Sequence, residues 1–183
     1  MGATVTIADF IVNTKTSDFP KDSNQKAIKV IADTFAVILA GVSSEVAEPL
    51  QRYLDAAREV GASPILGAGR TTTAETAALI NGTYGHALDY DDVLSMMPAH
   101  PSVVILSALL AGMNGRTVSG KDFIEAYIIG VEVGGKIGLG ITNEHYQRGY
   151  HATGTLALFS GLAALSRLYA LDAPTIQQAM GIA

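Results

Sequence analysis

An all-α fold is what this sequence predicts, and three observations carry it. Apolar residues recur at three- and four-residue spacing along the chain. The breaks between these stretches are marked by glycine, proline or a capping hydroxyl. Apolar residues make up 49% of the 183 positions and charged ones 16%, so much of the chain has to be buried and a single domain over residues 1–183 is expected.

Taken in order, residues 4–13 read as a short amphipathic helix, interrupted by Phe19-Pro20. A second helix begins at Asp22 or Ser23 and ends at Gly41, with Ala27, Ile28, Ile31, Ala32, Phe35, Ile38 and Leu39 on one stripe. Residues 43–60 repeat the pattern, with Arg52, Asp55 and Glu59 turned outward and Gly61 at the exit. Proline and two glycines forbid a helix over residues 62–70, which read as a loop. In Thr72-Thr-Ala-Glu75 a hydroxyl precedes a carboxylate by three residues, the capping-box spacing, so a helix starts near Thr73. Extended at 3.6 residues per turn, it places His86, Asp89, Tyr90 and Val93 on one face. Met96-Met97-Pro98 ends it. His100-Pro101 opens the next helix with proline at the first position, leaving His100 at a helix entrance facing Asp89.

Asn114-Gly115-Arg116 turns the chain, and Ser119 to Asp122 caps a long helix running to about Ile141. Gly130, Gly134, Gly135, Gly138 and Gly140 each weaken that helix by up to ~1 kcal/mol relative to alanine, which points to close packing of its face. Residues 130–136 also spell the start of a phosphate-binding loop, but Ile137 replaces the required Ser or Thr and no strand precedes it. Residues 143–155 crowd His145, Arg148, Tyr150 and His151 before a small-residue helix start, a place where backbone amides favour an anion. A small-residue apolar helix over residues 156–171 follows, and Asp172-Ala-Pro174 opens a last one. Its apolar residues Ile176, Ala179, Met180 and Ile182 have no glycine cap after them, so the chain reads as one that continues and whose final helix exposes an apolar face. The whole amounts to about seven or eight helices, the three N-terminal ones packed around the pair at 74–89 and 102–113.

Composition excludes several classes of function. With no cysteine there are no disulfides, thiolate nucleophiles, cysteine-ligated zinc or cysteine-held iron–sulfur clusters. A net charge of −5 without a basic stripe argues against nucleic acid. The longest clean apolar run, residues 103–113, falls short of the ~18 residues a membrane-spanning helix needs, and no secretory signal is visible, so a soluble cytoplasmic protein is expected.

The motifs NGTYGHALDYDDV, AHPSVVILSALLA, SGKDFIEAYIIGVEV, RGYHATGTLALFSGLAALSRLYALD and AMGIA, in this order, resemble the MmgE/PrpD family of 2-methylcitrate dehydratases, cis-aconitate decarboxylases and iminodisuccinate epimerases. The resemblance covers essentially the whole chain. It implies a helical domain, of which this chain is the N-terminal portion without the smaller lid domain, and assembly as a homodimer or with a complementary C-terminal chain. It implies that Asp89, His100 and His151 line the active site. Two departures stand at Val93, where the family often has threonine, and at Leu94, where it often has histidine; a family lysine and a lid tyrosine have no counterpart.

The residues themselves support the same chemistry. Moving a proton beside a carboxylate needs an acid/base near neutral pH, and His100 and His151 are the candidates. Asp89 fixes a tautomer or holds a substrate hydroxyl, while His86, Arg148 and Asp92 are assigned to substrate binding, His86 also as a hydrogen-bonder inside the helix pack. The expected activity is cofactor-free dehydration or decarboxylation, or epimerisation, of a small di- or tricarboxylate. One alternative is a metal-dependent hydrolase using His86, Asp89, Asp91, Asp92 and His100, disfavoured because Asp91 and Asp92 would lie on different helical faces from His86. Another is a non-catalytic helical module that acts by association.

Overall fold

The computed structural model describes residues 2–183 as ten α-helices and one two-stranded hairpin. The helices are α1 (Ala3–Asn13), α2 (Ser23–Gly41), α3 (Ala47–Ala57), α4 (Ala74–His86), α5 (Pro101–Met113), α6 (Gly120–Ile141), α7 (Glu144–Gln147), α8 (Ala152–Thr155), α9 (Ala157–Leu168) and α10 (Ala173–Ile182). The fold class is the all-α one expected from the sequence. The count exceeds the expected seven or eight because α7 and α8 are single turns. No described helix is long and apolar enough to cross a membrane.

α6 and α9 form the most extensive helix contact, and small residues on both faces make it close. A Cβ added at Gly134 would meet the Ser160 hydroxyl at 1.9 Å, and one at Gly138 would meet Met97 Cβ at 2.4 Å and the Met96 carbonyl at 2.5 Å. The glycine stripe is thus a packing device, as the sequence reading expected, and its C-terminal end seats the loop between α4 and α5. Gly140 meets nothing within 4 Å and takes no part. One core cluster joins Ile31 of α2, Ile105, Leu106 and Leu109 of α5, Ala126 and Tyr127 of α6 and Ala164 of α9. A second joins Ala8 and Ile11 of α1, Ile129 and Val133 of α6, Ala163 of α9 and Ile176 of α10.

Five expectations need correction. The three N-terminal helices do not all pack around α4 and α5: α2 does, α3 buries only Leu54 fully in a cluster that Ala47 and Leu50 also flank, and α1 packs on α9 and α10. Residues 62–70 are no simple loop, because β1 (Ser63–Ile65) pairs antiparallel with β2 (Arg70–Thr72). Gly67 and Gly69 supply the positive φ angles, 74° and 62°, that turn this hairpin, and buried Asn81 of α4 pins it by accepting from Leu66 N–H at 3.0 Å and donating to the Pro64 carbonyl at 2.9 Å. The cap of α4 is Thr73, whose hydroxyl accepts from Thr76 N–H, one residue later than the expected box, since Thr72 belongs to β2. α10 does not expose its whole apolar face, for Ile176 is fully buried against α1.

The fifth correction matters most. α4 ends at His86, and Asp89 lies outside the helix with φ 54°, so His86, Asp89, Tyr90 and Val93 share no helical stripe. Three carboxylates in Asp89-Tyr-Asp-Asp92 sit badly at the negative end of a helix dipole, and aspartate tolerates the left-handed turn that takes the chain away.

Candidate active site

Residues 87–99 form a compact loop rather than a helix extension. Leu94 N–H donates to the Ala99 carbonyl at 3.0 Å, Met97 N–H to the Leu94 carbonyl at 3.0 Å, and the Met97 side chain is fully buried under α6. Asp92 ties the loop to α5, accepting from Ser102 N–H at 3.2 Å and from the Ser102 hydroxyl at 2.7 Å. It caps α5, whose own N-cap residue, His100, makes no side-chain cap. Because Ser102 gives its proton to Asp92, Tyr127 O–H donates to Ser102 Oγ at 2.6 Å. Burial pushes the Asp92 carboxyl above the ordinary aspartate range, though the two bonds from Ser102 pull against it. Burial likewise pushes the Tyr127 hydroxyl up to about 12, so it stays protonated as the chain of donors requires. Asp92, expected to bind substrate, has both oxygens engaged by Ser102; the structure gives it an anchoring place instead.

The loop folds back so that three imidazoles gather. The His86 and His100 ring centroids lie 4.7 Å apart, and those of His86 and His151 6.0 Å apart, both edge-on. His86 Nδ1 sits 2.9 Å from Asp91 Oδ2 and 3.1 Å from Oδ1. His100 Nδ1 is 3.3 Å from the Asp91 carbonyl and 3.5 Å from its Oδ2. His100 Nε2 faces Asp89 Oδ1 at 3.7 Å. The Asp91 side chain is 0% exposed, whereas that of Asp89 is 79% exposed and those of His86 and His100 are 37% and 18%. The His100 amide donates to Thr153 Oγ1 at 3.0 Å, which fixes α8 and the adjoining His151 beside the loop.

Of the residues singled out in the sequence, Asp89, His86, His100 and His151 are therefore brought together. Arg148 is not: it is exposed and pairs with Glu144 within α7. His86 is not inside the helix pack but half-exposed at the end of α4, on the wall of a groove of about 920 Å³ between α4, α5 and α9. Apolar side chains such as Leu79, Val104, Leu158 and Leu162 line most of that groove, and His86 stands among them. Asp91 is the residue that sequence reasoning passed over as a site residue. The argument that it lies on a different helical face from His86 fails because no helix joins them; the signal was available in the Asp89-Tyr-Asp-Asp92 run, which makes a poor helix end.

Chemically, the cluster offers three imidazoles, side chains able to take up or release a proton, with one solvent-facing carboxylate and one buried carboxylate. Ligand atoms of His86, Asp89, Asp91 and His100 lie within 4.8 Å of one another, a set that could also hold a divalent cation. No Lys or Arg pairs with these side chains among the described residues.

Comparison with known proteins adds to this geometry. The chain is 29% identical over 188 aligned residues to a cis-aconitate decarboxylase-like protein, oryM, of Aspergillus oryzae, an alignment covering 98% of this chain and 39% of that protein. It is 29% identical over 188 residues to a cis-aconitate decarboxylase of Aspergillus terreus, covering 100% of this chain and 38% of that protein. It thus spans well under half the length of the curated relatives it matches. Residues 5–183 match the family model described as the MmgE/PrpD N-terminal domain, and with a helical fold over the same span, the chain belongs to the MmgE/PrpD family.

Proposed function

We propose that this protein performs lyase-type acid–base chemistry, dehydration or decarboxylation, on a small di- or tricarboxylate such as cis-aconitate or 2-methylcitrate; epimerisation would use the same proton transfers. The observation that carries this reading is the gathering of His86, His100 and His151 with Asp89, where His86 also lines the groove. His100 and His151 act as the acid and base. In dehydration a base takes the proton beside a carboxylate, its electron pair forms the double bond, and a protonated histidine gives its proton to the departing hydroxyl. In decarboxylation the carbon–carbon bond to the carboxylate breaks, its pair stays on carbon, and an imidazolium protonates that carbon. Asp89 holds a substrate hydroxyl or steadies the protonated His100, and His86 meets a substrate carboxylate. No cofactor is required by these steps.

Among the described residues no Lys or Arg pairs with the cluster to meet a polyanionic substrate, which supports a further part of the reading: the protein works as a homodimer or with a complementary C-terminal chain that supplies one. A cytoplasmic location fits the substrate class. The test is incubation with cis-aconitate and with 2-methylcitrate, following unsaturated-acid absorbance and carbon dioxide release, alongside light scattering. The 183-residue chain alone is expected to self-associate and turn over slowly or not at all, and the assembled protein to be active. A monodisperse, fully active monomer would overturn the assembly, and an assembled protein inert toward every polycarboxylate would overturn the chemistry.

A metal-dependent hydrolase is the second reading, favoured by one observation, the four ligand atoms within 4.8 Å. Metal analysis of the purified protein decides: a stoichiometric divalent ion whose removal abolishes a hydrolytic activity selects this reading over the first.

A further inference from the structure

The carboxylate that organises the histidines is not the exposed one that the sequence brings forward. We propose that Asp91 is a positioning residue that holds both His86 and His100 with a proton on Nδ1, so that each ring presents Nε2 to the site as a proton acceptor. The inference rests on the acid–base reading above and deepens it.

Every group Asp91 offers to the two rings is an acceptor. Its carboxylate oxygens lie 2.9 and 3.1 Å from His86 Nδ1, and its carbonyl oxygen 3.3 Å from His100 Nδ1, with Oδ2 a further 3.5 Å contact. A ring nitrogen surrounded by acceptors has to carry the hydrogen, and in a neutral imidazole the other nitrogen is then a lone pair. Asp91 therefore selects the same tautomer in both histidines. It also fixes the angle between the rings, since one residue grips both from beneath, its side chain fully buried. Burying a carboxylate is costly unless hydrogen bonds replace its water, and here His86 Nδ1 bonds both oxygens while the His100 ring adds a 3.5 Å contact.

The same geometry assigns Asp89 a different task. It lies 3.7 Å from His100 Nε2, beyond a hydrogen bond, and a carboxylate there has nothing to accept while Nε2 is a lone pair. Once Nε2 takes a proton from substrate, with the electron pair left on the substrate, Asp89 faces a cation while Asp91 lies behind the ring. The two carboxylates bracket His100, one setting the ring before transfer and the other favouring its charged form after it.

The test is isotope-edited NMR of the imidazole nitrogens in the native protein, joined to kinetics of Asp91→Asn and Asp91→Ala. Native His86 and His100 should both show the Nδ1–H form. Asp91→Asn keeps the shape but can turn an amide donor toward Nδ1; it should shift at least one ring to the Nε2–H form and lower kcat by ~10²-fold or more with KM nearly unchanged. Added formate should restore part of the turnover of Asp91→Ala, which a merely structural loss would not allow. Native rings in the Nε2–H form would overturn the proposal, even if the variants fail to fold. So would an Asp91→Asn protein with native tautomers and native kcat. Correct native tautomers in a protein that transforms no polycarboxylate would leave the positioning intact and remove the function it was assigned to serve.

Discussion

This helical domain carries two polar clusters, and they differ in what they leave unsatisfied. At the first, Arg167 of α9 donates from Nε to Glu125 of α6 at 2.9 Å, and a further arm meets the same carboxylate. It also donates to the carbonyls of Ile11 at 2.8 Å, Val12 at 3.0 Å and Thr14 at 2.7 Å, while Thr16 donates to the other Glu125 oxygen. Every arm of the guanidinium is used, and the frayed end of α1 is tied to α6 and α9. At the second, Asp91 engages one nitrogen of each of two rings, and among the described residues the opposite nitrogens have no partner within hydrogen-bond reach. A saturated cluster closes a structure, whereas one with spare valence faces a ligand. Both join ionisable side chains through hydrogen bonds, so the unused valence separates scaffold from site.

Breaking the scaffold cluster should give the largest energetic effect. Arg167→Ala strands the Glu125 carboxylate and three carbonyls, and should cost about 3 kcal/mol by urea unfolding. Turnover per folded molecule should hold steady; a fall in kcat at full folding would mean the two clusters are coupled. At the other cluster the pattern should invert: in the assembled protein, His100→Gln or His151→Gln should lower kcat by ~10² or more with unfolding midpoints unmoved. Normal turnover by both variants would end the comparison.

A smaller effect sharpens where the scaffold supports the site. Gly138→Ala drives a methyl into Met97 Cβ and the Met96 carbonyl, and should cost ~1–3 kcal/mol while disturbing the loop that carries Asp91. Gly140→Ala, with open space around it, should instead raise stability by up to ~1 kcal/mol. Equal effects of the two in thermal unfolding would refute the packing argument. The smallest effect concerns pH. Burial raises the Glu125 carboxyl, but the Thr16 hydroxyl and Arg167 outweigh it and hold it below the usual glutamate value. The unfolded chain then binds the proton more readily, so this contribution is complete above pH 4.5 and fades as pH falls through and below it. Glu125→Gln should flatten that acid limb in urea unfolding measured against pH; parallel native and variant curves would show that the pair contributes no linkage.

Helices were legible because their evidence is local. Ser119 Oγ accepts from Asp122 N–H to cap α6, and Pro101 starts α5, where the sequence places them. The hairpin was missed since its support is a buried asparagine in another element, Asn81, and side-chain pairing across 15 residues leaves no periodic trace. Arg167 gave no signal at all: a lone arginine in a helix looks solvated, and its carbonyl partners lie more than 150 residues upstream. Three histidines and Asp89 could be singled out by chemistry, but their arrangement depended on where α4 stops. His86 and Asp91 are five residues apart, a separation that a helix would turn away from contact and that a left-handed turn at Asp89 reverses.

The loop over residues 87–99 has a further consequence, in the dimension of time. Segments that close over substrates are ordinarily among the least stable parts of a domain, opening many times for each global unfolding event. This one has Met97 sealed beneath α6, Ala99 buried, Asp92 bonded to the start of α5 and the His100 amide held by Thr153. Its amides should exchange with solvent about as slowly as those of the α6–α9 core, and the histidine geometry should persist through every fluctuation short of unfolding the domain.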